Sequence, residues 1–216
     1  MGLVELLLPP ACAGCGRYGA IFCSRCTGAL RPASRDDERF LAADRGVVVG
    51  DALELGRAAF AYGGTLRRAL ASLKYGSAAR VARPLAAQAA PGLMALMELV
   101  PVAALVPVPV HADRLRQRGY NQAALLAQEL TRGQRLDIAD VLERRRPTTQ
   151  MHRLDRAARL RNLREAFGVR AGRSPPAVAI LVDDILTTSA TMEACAGALR
   201  EAGTERVLGF AIAREL

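Results

Sequence analysis

The stretch best equipped for chemistry runs Ala179-Ile-Leu-Val-Asp-Asp-Ile-Leu-Thr-Thr-Ser-Ala-Thr191. Apolar residues lead into Asp183 and Asp184, and Thr187, Thr188, Ser189, Ala190 and Thr191 follow. A buried strand with this pattern brings both carboxylates to the carboxyl end of a sheet, where open α/β folds bind ligands. Hydroxyls and unpaired backbone N–H groups at the start of the next helix form a cradle for phosphate. Adjacent carboxylates can accept hydrogen bonds from vicinal ribose hydroxyls, or stand in the outer shell of Mg²⁺. A diol beside a phosphate describes a ribose 5-phosphate. A Walker B strand also sets acids after an apolar run, but it needs a GxxxxGK[ST] loop as partner. The chain's single lysine, Lys74, follows Leu-Ala-Ser-Leu and no glycine loop, which excludes an ATPase of that kind.

A second constellation lies near the start: Cys12-Ala-Gly-Cys15 and Cys23-Ser-Arg-Cys26, with seven residues between the pairs. Each CxxC puts two thiolates on a tight knuckle, and two knuckles together make a tetrahedral S₄ site suited to structural Zn²⁺. Disulfides are the alternative, and a reducing cytosol opposes them. Four protein ligands close the coordination sphere, so such a site stabilises folding and does not catalyse. Gly14 and Gly16 are expected to permit the sharp turn. The fifth cysteine, Cys195, reads as a buried core residue.

These groups sit in a chain of 216 residues with 30 Lys+Arg against 21 Asp+Glu, a net charge of +9. A hydrophobic fraction of 51% excludes a largely disordered chain. The longest uncharged stretch, Pro84–Met97, is too short to span a bilayer. The absence of early basic residues, with Glu5 in the first apolar run, argues against a secretory signal, and the expectation is a cytoplasmic protein. Ten arginines against two acids between Arg144 and Arg173 suggest a polyanionic partner, or simply a solvated basic segment. Aromatics are 4% and Trp is absent, so nucleic-acid binding by base stacking finds little support.

The elements that must carry these residues alternate between strand and helix. Strands are predicted at Ala58–Tyr62, Ala103–Val110, Val141–Arg144, Val178–Val182 and Val207–Ala213. Helices are predicted at Thr65–Lys74, Val81–Leu99 with a break at Pro91-Gly92, Asn121–Leu130 and Thr191–Ala202. Arg31–Arg45 reads as a linker and Pro147–Arg156 as a loop. Apolar strands alternating with helices imply α/β architecture, a parallel sheet covered on both faces. The expected division is a cysteine module and linker over 1–45 and the α/β domain over 46–216.

The acidic stretch resembles the 5-phosphoribosyl-1-pyrophosphate (PRPP) signature of type I phosphoribosyltransferases. The wider chain resembles the ComF family through four further features in order. These are the cysteine knuckle, Leu66-Arg-Arg-Ala-Leu-Ala-Ser-Leu-Lys-Tyr75, Val106-Pro-Val-Pro-Val-His111, and Arg114-Leu-Arg-Gln-Arg-Gly-Tyr-Asn-Gln122. The resemblance implies a type I phosphoribosyltransferase-like domain behind a small zinc-binding module. It implies a cytoplasmic role in natural competence, in the handling of incoming single-stranded DNA with the competence machinery.

The same resemblance implies that PRPP sets its 5-phosphate on Thr187–Thr191 and its ribose hydroxyls on Asp183 and Asp184, the catalytic pair. Mg²⁺ would bridge pyrophosphate and ribose oxygens. Pro107 and Val108, Arg114, Arg116 and Arg118, and Lys74 with Tyr75 are the candidates for the pyrophosphate side. The segment around Arg146–Arg156, with Thr148, Thr149, Gln150 and His152, reads as a lid or as disorder. Arg118-Gly-Tyr-Asn-Gln122 either touches ligand or caps the helix that follows. Two departures stand out. Ser189 occupies a place usually held by glycine, at a cost of about 1 kcal/mol if the backbone there needs positive φ. Thr187 stands where purine-salvage enzymes carry an aspartate base, which disfavours purine salvage. Phosphoribosyl transfer to an undefined acceptor, a non-catalytic PRPP sensor or nucleic-acid scaffold, and a zinc-mediated interaction module all remain open.

Overall fold

The computed structural model describes residues 9–33, 52–74, 78–146, 163 and 165–215. Its main sheet has four strands in the order β1 (Leu55–Ala61), β6 (Arg206–Arg214), β5 (Val178–Leu186) and β2 (Ala104–Pro107). Every neighbouring pair is parallel. Beyond β2, Asp137 O accepts from Leu105 N at 2.8 Å and Ala139 N donates to Leu105 O at 2.9 Å, a one-residue extension of the ladder. A separate antiparallel pair joins β3 (Leu142–Arg144) to β4 (Phe167–Val169), and the short helix α1 (Ser24–Gly28) precedes the main sheet in the chain.

Strand alternation assigns side chains to two buried faces. Ile180 and Val182 of β5, with Leu208, Phe210 and Ile212 of β6, meet helices α2 (Gly64–Ser72), α3 (Ala78–Met97) and α5 (Gln122–Leu130). Ala179 and Leu181, with Val207 and Ala211, meet α6 (Ala190–Glu201) and the β3–β4 pair. Both faces are covered, as a parallel sheet requires. In α2 the residues Leu66, Ala69 and Leu70, with Leu73 just beyond, recur at helical spacing and are all buried.

Several elements differ from expectation. Helix α3 runs unbroken through Pro84 and Pro91. The missing N–H bonds are offset by burial of Ala89, Leu93 and Leu96, and Gly92 lies against Phe210 and Ala59. Strand β5 continues to Leu186, so both acids lie within it and Ile185 still pairs with Ala213. The expected linker begins as sheet structure. Ala33 N donates to Ala59 O and Ala61 N to Arg31 O, covering the outer edge of β1. Residues 34–45, the boundary at 45/46 and the loop Pro147–Arg156 lie outside the described residues. Among the described residues no helix is long and apolar enough to cross a membrane.

Candidate functional site

Strand β5 ends its apolar run at Val182 and presents Asp183 and Asp184 at the carboxyl end of the sheet. Asp184 is 6% exposed and its Oδ2 lies 3.3 Å from Lys74 Nζ. Asp183 is half-buried, and its Oδ1 accepts the backbone N–H of Asp184 at 2.8 Å. Burial pushes the Asp183 carboxyl well above its usual range. The neighbouring Asp184 charge adds to the shift, and the Lys74 ammonium opposes it. The chain's one lysine thus reaches the acid pair from the end of α2, although more than a hundred residues separate them in sequence.

The cradle follows directly. Thr187 and Thr188 are exposed, Ser189 is buried, and Ala190 and Thr191 form the first turn of α6. Ser189 has φ 56° and ψ −7°, the sole non-glycine residue with positive φ among the described residues. Its carbonyl accepts from Glu193 N at 2.8 Å, while its Oγ is buried without a partner among the described residues. Among those residues no acceptor is bonded to the amides of Thr187, Thr188 or Ser189. An αL residue held by serine, with a buried hydroxyl left unmated, is strained on two counts. Ser189→Gly is expected to stabilise the unliganded protein by about 1 kcal/mol, a rise in Tm of roughly 2–4 °C. Differential scanning calorimetry checks this, and an unchanged or lower Tm would show that the serine carries no strain.

Strand β2 brings the proline turn alongside. Pro107 pairs with Val182, and Val108 N donates to Val182 O at 2.9 Å. Both side chains are buried, and Val108 O accepts from Asn121 Nδ2 at 3.0 Å, so the polar groups of Val108 are engaged within the protein. His111 caps the short helix α4 (Ala112–Arg118), its Nδ1 accepting from Asp113 N at 3.3 Å, and Gly119 closes it at φ 80°. Of the arginines there, Arg114 is exposed, Arg116 pairs with Asp113, and Arg118 Nη1 donates to Gln122 Oε1 at 3.1 Å. Asn121 caps α5 through Ala123 N at 3.0 Å. Tyr75 and the segment holding Thr148, Thr149, Gln150 and His152 lie outside the described residues.

The arginine-rich segment that the sequence linked to a polyanionic partner begins beside the core. Arg144 lies on β3, half-buried, with its guanidinium carbon 5.4 Å from the Phe167 ring centroid. Burial lowers its pKa, Arg114 lowers it further, and Asp183 and Cys195 oppose that shift. Its neighbours Arg145 and Arg146 pair instead with Glu143 and Glu165. Cys195 is fully buried, and burial followed by the Asp183 charge raises its thiol pKa.

The four N-terminal cysteines form a separate cluster whose sulfurs all lie within 4.8 Å of one another. Cys12 and Cys26 Sγ are 3.6 Å apart and Cys15 and Cys23 Sγ 3.7 Å. Zn–S bonds of about 2.3 Å in a tetrahedron set sulfurs about 3.8 Å apart, so the donor set fits such a metal. Cys23 N donates to Cys12 Sγ at 3.4 Å. Burial alone would raise the Cys12 thiol, but the amides of Cys23, Cys15 and Gly14 outweigh it and leave its pKa at about 6. Burial and the surrounding sulfurs push Cys26 the other way. A Cβ on Gly14 would stand 2.8 Å from Cys26 Sγ, so space demands this glycine, whereas Gly16 at φ 78° meets the conformational demand.

These features define an α/β protein with a carboxylate pair at the carboxyl edge of a parallel sheet and a four-cysteine cluster able to hold a metal such as zinc. No protein-family model matches the chain. It is 35% identical over 116 residues to competence protein F of Haemophilus influenzae, covering 51% of this chain and 50% of that protein. It is 30% identical over 115 residues to competence protein ComFC of Streptococcus pneumoniae, covering 50% and 47%. It is 33% identical over 116 residues to DNA utilization protein YhgH of Escherichia coli, covering 52% and 49%. The chain spans about half the length of the curated relatives it matches. Over that half, the chain is similar to competence and DNA utilization proteins, in line with the ComF resemblance of its motifs.

Proposed function

We propose that this chain is a competence-associated, phosphoribosyltransferase-like protein that binds PRPP with Mg²⁺ at the end of β5. The observation that supports the reading most is the junction of Asp183 and Asp184 with a strained, unmated cradle at Ser189. The carboxylates would hold the ribose hydroxyls, and the cradle amides and hydroxyls the 5-phosphate. Lys74, 3.3 Å from Asp184, would serve as a cation for the pyrophosphate end, and Arg144, whose charge interacts with that of Asp183, as a second. Mg²⁺, when bound with PRPP, supplies charge neutralisation on the leaving group. In transfer, the bond from ribose C1 to pyrophosphate breaks with its electron pair on pyrophosphate, and an acceptor forms the new bond. Catalysis of this kind is positioning and electrostatics. The cysteine cluster would hold structural zinc, a thiolate set suited to a reducing cytoplasm.

A second reading is supported by Thr187, an exposed hydroxyl where a carboxylate base would be needed. It makes the protein a PRPP sensor or a scaffold for DNA processing, in keeping with the names of its relatives. Isothermal titration with PRPP and Mg²⁺ tests what the two readings share. Heat at ligand concentrations up to millimolar is expected, and none would overturn the PRPP reading. Following PRPP turnover in the wild type and in Asp184→Asn then separates them. An enzyme loses turnover with the carboxylate, whereas a sensor shows none in either protein.

A further inference from the structure

Two residues outside the acid pair and cradle tie this corner of the fold together. Tyr120 Oη donates to Leu73 O at 2.9 Å. Leu73 is the C-cap of α2, and its carbonyl belongs to the set that a helix leaves unpaired at its end. The next residue is Lys74, 3.3 Å from Asp184. Asn121 works in the opposite direction. Its Oδ1 accepts from Ala123 N, and its Nδ2 donates to Val108 O. Val108 N in turn donates to Val182 O, one residue before Asp183. Two consecutive side chains therefore tie the end of α2, next to Lys74, to the proline turn and through it to the acid-bearing strand. Of the two roles suggested by the sequence for this stretch, Asn121 fills that of the helix cap.

We propose that Tyr120 and Asn121 are positioning residues that clamp Lys74 and the Val106–His111 turn against the Asp183–Asp184 pair. The clamp serves the site named under the proposed function and rests on that reading for its purpose, but its geometry can be tested without any ligand. The chain holds one lysine, so reductive methylation with ¹³C-formaldehyde yields a single side-chain NMR signal, distinct from that of the terminal amine. Asp184→Asn defines the signal of a released lysine. Tyr120→Phe removes one oxygen and keeps the ring. It is expected to move the Lys74 signal at least halfway to the Asp184→Asn position, with Tm and circular dichroism close to wild type. Tyr18→Phe, altering a side chain that is 76% exposed, leaves the signal in place. A Tyr120→Phe signal coincident with wild type overturns the role of Tyr120.

Asn121→Asp keeps the capping oxygen, since aspartate caps as well as asparagine, but loses the donor to Val108 O. Amide hydrogen exchange at Val108 is expected to accelerate at least tenfold while the first turn of α5 stays protected. Unchanged exchange at Val108 would reduce Asn121 to a cap and overturn its part in the clamp. PRPP titration of the same variants reads out separately, with a fall in affinity of about fivefold expected for each. Lysine and amide responses without PRPP binding in any form, wild type included, would uphold the clamp and sink the PRPP reading.

Discussion

Asp183→Asn is expected to make the unliganded protein more stable while removing the hold on PRPP and Mg²⁺ proposed for it. Burial, then the adjacent Asp184 charge, raise the Asp183 pKa, so the fold prefers this carboxyl neutral. For a group raised in this way, the favourable contribution is fully present below the ordinary carboxylate pKa of about 4 and is lost as pH rises through the folded-state value. At neutral pH, where the unfolded carboxyl is ionised, the folded-state preference for the neutral form therefore costs stability relative to a neutral side chain. Asparagine copies the neutral shape and can still accept the N–H of Asp184 through its oxygen. The gain expected at pH 7 is about 1 kcal/mol, and the gap from wild type should close as the pH falls below about 4. Binding moves in the opposite direction. A charge-assisted hydrogen bond contributes about 1.5–3 kcal/mol, so affinity for PRPP should fall about 10- to 100-fold. Asp184→Asn supplies the contrast, because it breaks the contact with Lys74 and should lower both stability and affinity. Thermal melts across pH and calorimetric titration measure both quantities. An Asp183→Asn protein that is less stable at pH 7, or binds PRPP as wild type does, would remove Asp183 from the site.

The fold was legible wherever burial imposes a period. Leu66, Leu70 and Leu73 announce α2, and the uninterrupted apolar run of Val178–Val182 announces a strand covered on both faces. The acid pair and the cradle could be read because strand, carboxylates and hydroxyls are contiguous in sequence. What escaped lacks a local signature. Helix α4 buries no side chain, so it has no apolar stripe, and it is held by the His111 cap and the left-handed Gly119. Strand β4 is only three residues long, too short to show alternation. The continuity of α3 through Pro91 is a tertiary effect, since the core it packs against outweighs the broken bonds. The meeting of Lys74 with Asp184, and of Tyr120 with Leu73, depends on chain reversals that no window of sequence contains. Ser189 is the instructive case. A serine at a place where related signatures carry glycine predicted strain at positive φ, and the backbone adopts that conformation.

The cysteine cluster carries the other large effect. Removing the zinc proposed for it with a chelator, or replacing Cys12 and Cys26 with serine, is expected to unfold residues 9–33 and to loosen α2. Structural zinc in isolated finger peptides contributes an apparent ~10–16 kcal/mol at pH 7, and a module this short has little apolar core of its own to replace it. Its attachment to the α/β domain is specific. Arg68 Nε donates to Gly14 O and Thr65 Oγ1 to Cys26 O at 3.4 Å, both from α2, while Ala13, Ile21, Phe22 and Leu30 pack on the main core. Those carbonyls hold position only while the knuckles do. A loss of about 3 kcal/mol should lower Tm by roughly 6–12 °C in a chain of this size. The expected result is one zinc released per chain, a Tm lower by that amount, and new protease cleavage confined to the N-terminal module. Because α2 ends at Lys74, the single lysine signal should broaden or move as the metal leaves. A freshly prepared, fully reduced protein that contains no bound metal, or whose Tm ignores the chelator, would show that four sulfurs at tetrahedral spacing are packing and nothing more.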